Sequence, residues 1–242
     1  MRVDGRKNDE LRQIKITPNF LKYPEGSCLI EWGNTKVICS ASIIDGVPPF
    51  LKGTGKGWLT AEYSMLPRST HTRMIRESTQ GKISGRTQEI QRLIGRSLRS
   101  AIDLSKIGEK TIWIDCDVIQ ADGGTRIASI TGGYVALSIA INKLINDGVL
   151  SENPILRQIA GVSLGILNGE ILVDLNYEED SSCEIDINIV MDEKGDMVEI
   201  QGTGERGLLS KKDFDKIIKS ALKAVKKIMK AQRKAIVKWK RY

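Results

Sequence analysis

The chain has 242 residues, of which 40% are hydrophobic and 28% charged, so it is long enough for one large domain or two smaller ones with a hydrophobic core. No stretch approaches the roughly 18 uninterrupted apolar residues of a membrane-spanning helix, and residues 1–6 are charged where a signal peptide is apolar. The four cysteines form no CxxC pair, which argues against a zinc site or a disulfide scaffold. We therefore expect a cytoplasmic protein with buried thiols and no membrane partner.

The net charge of +7 is unevenly distributed along the chain. Residues 211–242 contain 13 of the 37 Lys and Arg residues but 2 of the 30 acidic residues, a segment charge of +11 that leaves −4 for the rest. This basic end fits an RNA-binding surface and equally the solvated face of a helix. A second, local concentration of basic residues predicts a nucleic-acid surface made of Arg68, Arg73, Arg76, Arg92, Arg96 and Arg99.

The first part of the chain has the pattern of strands followed by a helix. Residues 28–32 and 35–42 alternate in hydrophobicity on either side of a Gly-Asn turn, which predicts a β-hairpin. From about Thr87, apolar residues recur with a period of about 3.6, which predicts a helix with arginines on its other side. Arg86 lies at the start of that helix, where a guanidinium can either hold a phosphate or form a surface salt bridge.

Two glycines mark the junction between a later strand and a second helix. Gly123 and Gly124 let backbone N–H groups approach an anion, and the helix N-terminus adds partial positive charge. Next in the chain, Thr125 supplies a hydroxyl donor and Arg126 a bidentate guanidinium. The segment is a candidate phosphate site, although an ordinary strand-to-helix connection has the same composition.

The remaining elements suggest that the chain has two similar halves. They are a strand over 111–119, a helix over 129–146, a linker over 147–154, a hairpin over 160–167 and 170–175, strands over 183–191 and 197–201, and a helix from about 211. The order of hairpin, further strands and helix recurs after the linker. We therefore expect an N-terminal half of residues 1–147 and a C-terminal half of residues 155–242.

An acidic run over residues 178–180 precedes a strand in which Asp186 lies on the polar face. In that position Asp186 can bind a hard cation such as Mg²⁺ or transfer a proton. In a fully extended chain Asp180 would lie roughly 20 Å away, so the chain must turn between them if both carboxylates act together. A solvated acidic turn without a catalytic role is the alternative.

A second pair of carboxylates, Asp115 and Asp117, shares one face of the strand over 111–119. Two acids inside an otherwise apolar strand are costly unless they are paired or solvated. We interpret them as structural partners of the arginines, with a direct catalytic role as the alternative.

Long ordered strings of the sequence resemble the bacterial RNase PH family. These strings are residues 57–73, 85–99, 114–126 and 177–182, together with residues 4–6 and 201–203. The resemblance covers nearly the whole chain. One segment departs from the family pattern, because residues 201–206 read Gln-Gly-Thr-Gly-Glu-Arg where the family often has Gln-Gly-Thr-Ala-Glu-Gly. We expect the substituted positions, Gly204 and Arg206, to change the local backbone near Glu205.

The resemblance implies an α/β (α+β) fold of two similar βαβ-like halves with mixed sheets and packed helices, assembled as a ring-shaped hexamer, a trimer of dimers. It implies a phosphate-dependent tRNA nucleotidyltransferase that trims the 3′ ends of tRNA precursors, and of other structured RNA with single-stranded 3′ ends such as rRNA. Inorganic phosphate is then the co-substrate, nucleoside diphosphates are the products, and Mg²⁺ or another divalent cation is the cofactor.

The resemblance also implies roles for individual residues. The implied ligands of orthophosphate are Arg86, Gly124, Thr125 and Arg126. The implied catalytic residues, acting as metal ligands or in proton transfer, are Asp180 and Asp186. The implied contacts to tRNA, or to a neighbouring subunit that shapes the tRNA path, are Arg68, Arg73 and Arg76.

A phosphorolytic reaction agrees with the scarcity of other catalytic groups. Phosphate supplies the attacking oxygen, and with His71 as its single histidine the chain can form no Ser-His or His-His catalytic pair. Catalysis then depends on positioning and on charge neutralisation. Two other functions remain open: a catalytically inactive RNA-binding ring subunit, and a hydrolytic metal-dependent exonuclease, for which the usual cluster of acids is not evident.

Overall fold

The computed structural model describes residues 2–204 and 206–239. The strands are β1 Ile14–Pro18, β2 Gly26–Trp32, β3 Thr35–Asp45, β4 Trp58–Met65, β5 Lys110–Gln120, β6 Ile159–Leu167, β7 Glu170–Val173, β8 Ile185–Asp192 and β9 Met197–Gly204. The helices are α1 Glu77–Gln80, α2 Gly85–Arg99, α3 Thr125–Asn146, α4 Tyr177–Ser182 and α5 Lys211–Trp239. Residue 205, where the sequence predicts a backbone difference, lies outside the described residues, as do positions 240–242 of the predicted C-terminal half.

The first sheet has the strand order β1-β2-β3-β5-β4. Strands β2 and β3 form the predicted hairpin, with Trp32 opposite Thr35 at its end. Strand β4 runs parallel to β5, and α2 connects the two, which makes a βαβ unit. Along β5, Ile114 and Cys116 are buried, whereas Asp115 lies on the opposite face. The sheet therefore has one face in the core and one polar face.

The second sheet has the order β7-β6-β8-β9, and every pairing in it is antiparallel. The predicted α/β class with two sheets is confirmed, but mixed pairing occurs in the first sheet alone among the described residues. The strand predicted from residue 183 begins at Ile185, because α4 occupies the preceding segment and Cys183 is its C-cap. The acidic run is therefore helical.

Helix α3 lies at the centre of the molecule. It packs against β2 and β3 on one side and against β6 and α5 on another, so one hydrophobic core runs through both halves. By length and composition α3 could cross a membrane, but 89% of its most apolar window is buried inside the protein, as in the central helix of a globular fold. The predicted buried thiols are confirmed, with α3 next to most of them: Cys28, Cys39, Cys116 and Cys183.

Helix α5 is amphipathic and closes the fold. Ile217 and Val225 lie on its buried face, and lysines occupy the opposite face. The fully buried Gln232 donates from Nε2 to the carbonyl oxygens of Thr131, at 3.1 Å, and Ile159, at 3.0 Å. These two hydrogen bonds connect α5 to α3 and to β6. The predicted C-terminal helix is confirmed.

Candidate active site

The loop between β5 and α3 presents the N-terminus of α3. Gly123 and Gly124 have φ angles of 73° and 68°, in the left-handed region that favours glycine. A Cβ on Gly123 would lie 2.6 Å from the carbonyl oxygen of Leu175, so a side chain there is also excluded by space. Helix α3 begins at Thr125, four residues before the predicted start near Ser129, with the polar residues Thr125 and Arg126 ahead of the buried Ile127. No side chain caps this N-terminus, which leaves its first amides directed at a ligand.

The hydroxyl of Thr125 is held by a tyrosine that the sequence did not single out. Tyr63, on β4, and Thr125 share a hydrogen bond of 2.9 Å between their hydroxyl oxygens. Burial raises the pKa of Tyr63, and the positive charges of Arg86 and Arg126 partly offset that rise. Arg86 lines the same cavity as Tyr63, and Arg126 directly follows Thr125 in α3, so both predicted phosphate-binding arginines lie in the neighbourhood of this hydroxyl.

Arg126 connects the first turn of α3 to the second sheet. Its Nη1 atom donates to Oε1 of Gln201, on β9, at 3.1 Å. Gln201 Nε2 in turn donates to Oε1 of Glu89, on α2, at 2.8 Å, and Glu89 lies 3.9 Å from the Arg126 guanidinium. The guanidinium is thus oriented by one group from each half of the protein.

Arg86 lies in the first turn of α2, beside a cavity of about 740 Å³. The helix begins at Gly85 because the hydroxyl of Ser84 accepts a hydrogen bond from the amide of Thr87, an N-cap. The Thr87 hydroxyl donates to Glu77 at 2.7 Å. Arg76, which is predicted to contact RNA, and Arg86, which is predicted to bind phosphate, line the same cavity.

Asp180 lies on α4, which is fixed by a capping box. The side chain of Asn176 accepts from the amide of Glu179, and the Glu179 carboxylate accepts from the amide of Asn176. The amide of Asp180 donates to the carbonyl of Asn176 at 2.9 Å, and the Asp180 side chain is partly exposed. The chain is not extended between Asp180 and Asp186, because the end of α4 and its C-cap, Cys183, lie between them.

Asp186 lies on the face of the second sheet that also carries Gln201. Asn188 is directly opposite Gln201, and Asp186 is directly opposite Thr203, so all four side chains share one face. Diagonal neighbours of this kind are about 7–8 Å apart, which brings Asp186 near the partner of Arg126. Asn188 Nδ2 lies 3.2 and 3.4 Å from the two carboxylate oxygens of Asp186.

The predicted RNA-contacting arginines differ in their surroundings. Arg68, Arg73, Arg76 and Arg92 are exposed. Arg96 is exposed too, and its Nη2 atom forms an ion pair of 3.1 Å with Glu199. Arg99 is partly buried; its Nη1 donates to the carbonyl of Leu59 at 2.9 Å, and its guanidinium lies 4.8 Å from the ring centre of Trp58. The structure therefore gives Arg99 a packing role that the sequence did not predict.

The interpretation of Asp115 and Asp117 as partners of arginines was wrong. Within the described residues neither carboxylate forms an ion pair with an arginine, because the neighbouring strands place serines and Glu62 beside them. Ser40 Oγ donates to Asp115 at 3.2 Å. Burial raises the pKa of both aspartates, and the charge of Asp115 raises the pKa of Asp117 further.

The candidate metal ligands are two aspartates, Asp180 and Asp186. Among the residues that the structure describes, no group of three or more His, Cys, Asp or Glu side chains is arranged to hold a metal ion. Mg²⁺ in phosphoryl-transfer sites is typically held by one or two carboxylates together with substrate phosphates and waters. The chemistry of Asp180 and Asp186 fits that requirement.

Comparison with known proteins assigns the chain to a family. The models of the 3′ exoribonuclease family match residues 10–141 with domain 1 and residues 157–224 with domain 2. Ribonuclease PH of Bacillus subtilis (strain 168) is 58% identical over 237 residues, which cover 98% of this chain and 97% of the relative. Ribonuclease PH of Neisseria meningitidis serogroup B is 59% identical over 232 residues, 96% of each chain.

Solved structures agree with that assignment. A chain of the Archaeoglobus fulgidus exosome, solved with RNA bound to its active site, has a TM-score of 0.80 at 25% identity and covers 95% of this chain and 91% of that chain. Rice Rrp46 has a TM-score of 0.79 at 21% identity, with 97% and 100% coverage, and supports the fold alone. The predicted fold, enzyme class and resemblance are therefore confirmed, and the chain belongs to the 3′ exoribonuclease family, as a relative of bacterial Ribonuclease PH.

Proposed function

We propose that this chain is a phosphorolytic 3′-to-5′ exoribonuclease that trims the 3′ ends of tRNA precursors with orthophosphate. The observations that carry the proposal are the hydrogen bond between Thr125 and Tyr63 at the uncapped N-terminus of α3, where Arg126 follows, and the cavity that Tyr63 and Arg86 both line. Two guanidinium groups and a helix N-terminus fit a doubly charged anion. Membership of the 3′ exoribonuclease family supports RNA as the second substrate.

In the proposed reaction an oxygen of orthophosphate attacks the phosphorus of the last phosphodiester. The new P–O bond makes a nucleoside diphosphate, the bond to the preceding 3′ oxygen breaks, and that oxygen takes up a proton. No protein nucleophile is needed, so catalysis consists of positioning and charge neutralisation. Arg86 and Arg126 offset the repulsion between the two anions. The reverse reaction extends RNA when nucleoside diphosphates are abundant.

We assign Asp180 and Asp186 to the side of the leaving oxygen. Asn188 donates to the Asp186 carboxylate and orients it. When Mg²⁺ is bound by this pair, it supplies positive charge to the scissile phosphate and to the leaving 3′ oxygen. The pair can also act by proton transfer, with a protonated aspartate as the donor to the leaving oxygen.

Both rival functions are less well supported. A catalytically inactive RNA-binding subunit does not need the phosphate ligands and both aspartates, and the full-length similarity to Ribonuclease PH favours an active enzyme. A hydrolytic metal-dependent exonuclease requires a larger acidic cluster, and the described part of the chain contains no group of three metal-binding side chains.

We extend the proposal to partners, assembly and location. Arg68, Arg73 and Arg76 are exposed on the segment that leads to the cavity, where they fit contacts to the phosphate backbone of tRNA or of other structured RNA. A homo-hexamer, a trimer of dimers, in the cytoplasm completes the proposal, and the likeness to chains of the archaeal exosome core supports an oligomer. We also propose a boundary between the halves in residues 147–154, and the gap between the two family matches supports it.

The test is an assay of a 3′-labelled oligoribonucleotide with Mg²⁺, with and without orthophosphate. We expect nucleoside diphosphates in the presence of phosphate and intact RNA in its absence. The Arg126→Ala variant should lose phosphorolysis while it retains tRNA binding. Release of monophosphates regardless of phosphate would identify a hydrolase, and RNA binding without any product would identify an inactive subunit.

A further inference from the structure

A cluster of buried charged side chains lies beside residues 121–124, the loop between β5 and α3 that we call the phosphate loop, and the proposed chemistry does not use this cluster. Arg2, Arg12, Asp174 and Glu179 have exposed fractions of 6%, 8%, 2% and 2%. Buried ions are costly unless they are paired and hydrogen-bonded, and these four form two ion pairs, Arg2 with Glu179 and Arg12 with Asp174. The cluster joins the segment before β1 to the segment between β7 and α4.

Asp174 is the centre of the cluster. Its Oδ1 atom accepts from Arg12 Nη2 at 2.7 Å, and its Oδ2 atom accepts from the Arg12 amide at 2.7 Å and from Trp32 Nε1 at 2.9 Å. Asp174 has a φ angle of 61°, in the left-handed region that is unfavourable for residues with a side chain. These hydrogen bonds hold the carboxylate and its strained backbone in a single arrangement.

Arg12 extends from Asp174 to the phosphate loop. Its Nη1 atom donates to the carbonyl oxygen of Asp122, the residue before the two glycines. Its Nη2 atom would lie 3.1 Å from a Cβ on Gly124, so the guanidinium lies directly against the loop. The backbone that delivers Thr125 and Arg126 therefore rests on Arg12.

The same cluster holds the helix that carries Asp180. Arg2 Nη2 donates to the carbonyl of Asp174 at 2.8 Å and to Oε2 of Glu179, in α4, at 2.6 Å. The amide of Tyr177, the first residue of α4, donates to Oδ1 of Asp122 at 3.2 Å. Asp174 is thus connected to the phosphate loop through Arg12 and to α4 through Arg2.

We propose that the Arg12–Asp174 pair is a positioning device for phosphorolysis, which fixes the phosphate-binding loop relative to the helix that bears Asp180. Neither residue touches a substrate. Their effect is to keep the attacking phosphate in line with the scissile bond, where a misplacement of about 1 Å can cost on the order of 100-fold in rate. The inference rests on the proposed function, because it assumes that the loop binds orthophosphate.

The test compares Arg12→Lys and Asp174→Asn with a matched control, Asp192→Asn. Asp192 is also buried in the second half, and its Oδ1 atom accepts from the amides of Lys194, Gly195 and Asp196 at 2.9, 3.0 and 2.9 Å, in the turn between β8 and β9. The measurements are orthophosphate affinity by calorimetry without RNA, the KM for phosphate, kcat, and tRNA affinity by anisotropy.

We expect both cluster variants to weaken orthophosphate binding by about tenfold or more and to lower kcat, with unchanged tRNA affinity, whereas Asp192→Asn lowers only the melting temperature. Arg12→Lys keeps the charge opposite Asp174 but loses the guanidinium fork, so it remains informative if Asp174→Asn does not fold. Unchanged phosphate affinity in a folded cluster variant, or an equal loss in the control, would overturn the inference. Failure of the wild-type protein to bind orthophosphate would instead overturn the proposed function.

Discussion

At the scale of single residues, a buried hydroxyl distinguishes the proposed phosphate site from an ordinary strand-to-helix connection. Tyr63 shares its hydrogen bond with Thr125 and lies near both arginines. The sequence indicated Arg86, Thr125 and Arg126 because guanidinium and hydroxyl groups at helix starts have a chemical signature. Tyr63 had none, since an aromatic residue on the buried side of a strand looks like any core residue.

Replacement of Tyr63 by Phe tests this hydrogen bond. We expect the KM for orthophosphate to rise about fivefold, because a net contribution of about 1 kcal/mol is lost when one partner of a buried hydrogen bond is removed. Tyr134→Phe is the control, since Tyr134 is also buried, with 5% exposed, and lies further along α3. Steady-state kinetics with varied phosphate would contradict the assignment if both variants behaved like the wild type.

The two carboxylates on the polar face of the first sheet make the stability depend on pH. Burial raises the pKa of Asp115 above its ordinary value of 3.8, so the charged form is disfavoured by folding. The contribution of this carboxyl to the free energy of unfolding is therefore fully present below its unfolded pKa. It is lost as the pH rises through its folded pKa. We expect Asp115→Asn to melt at a higher temperature than the wild type at pH 7.

The difference should narrow as the pH is lowered through the raised pKa of Asp115, because the folded wild-type carboxyl then becomes increasingly neutral. Ser40→Ala is the companion variant. It should raise the pKa of Asp115 further, because it removes the hydroxyl that opposes the rise. Thermal melts at several pH values measure both effects. A lower melting temperature of Asp115→Asn at pH 7 would show that the charged form is the stabilising one.

At the scale of elements, the sequence could not predict the close approach of the phosphate loop to the segment before α4. The pattern predicted the strand, the two glycines and the helix after them, because these depend on local periodicity and composition. It placed the start of α3 near Ser129 and predicted no helix at the acidic run, because polar residues lie at the start of each helix. The contact between Gly123 and Leu175 joins residues from different halves, and no local pattern encodes it.

The substitution Gly123→Ala tests that contact. Both Gly123 and Gly148 have a φ angle of 73°, but a Cβ on Gly148 would meet no atom within 4 Å. The two alanine variants therefore share the backbone strain and differ in the clash with Leu175. We expect Gly123→Ala to lower the melting temperature by several degrees more than Gly148→Ala, and to weaken phosphate binding. Equal melting temperatures would mean that the loop moves away without cost.

At the scale of the whole molecule, the sequence predicted the family and the two-sheet fold because long ordered strings carry more information than local patterns. Pattern alone suggested two similar halves, yet the halves share a core around α3 and their sheets differ in pairing. The convergence of Arg126, Gln201 and Glu89 depends on that packing, which brings β9 against the first half. Residues so distant in the chain give no common signal in sequence spacing.

RNA binding by the whole molecule should depend steeply on salt, because the contacts are mainly to phosphates. We expect the logarithm of tRNA affinity to fall linearly with the logarithm of salt concentration, and the paired exchange of Arg73 and Arg76 for Gln to reduce that slope. The same exchange at Lys223 and Lys230, on the exposed face of α5, removes equal charge; it should leave the slope unchanged if the basic C-terminal segment is only a solvated helix face, and reduce it if that segment also binds RNA. A slope that stayed the same in the arginine variant would contradict the predicted RNA surface.

The most direct test of the central claim is a crystal structure of the protein soaked with orthophosphate or sulfate. We predict a bound oxyanion at the N-terminus of α3, in contact with the Thr125 hydroxyl and with the guanidinium groups of Arg86 and Arg126. Crystals of the Arg126→Ala variant should lack the anion under the same conditions. Clear density for the loop with no oxyanion beside the two arginines would contradict the account.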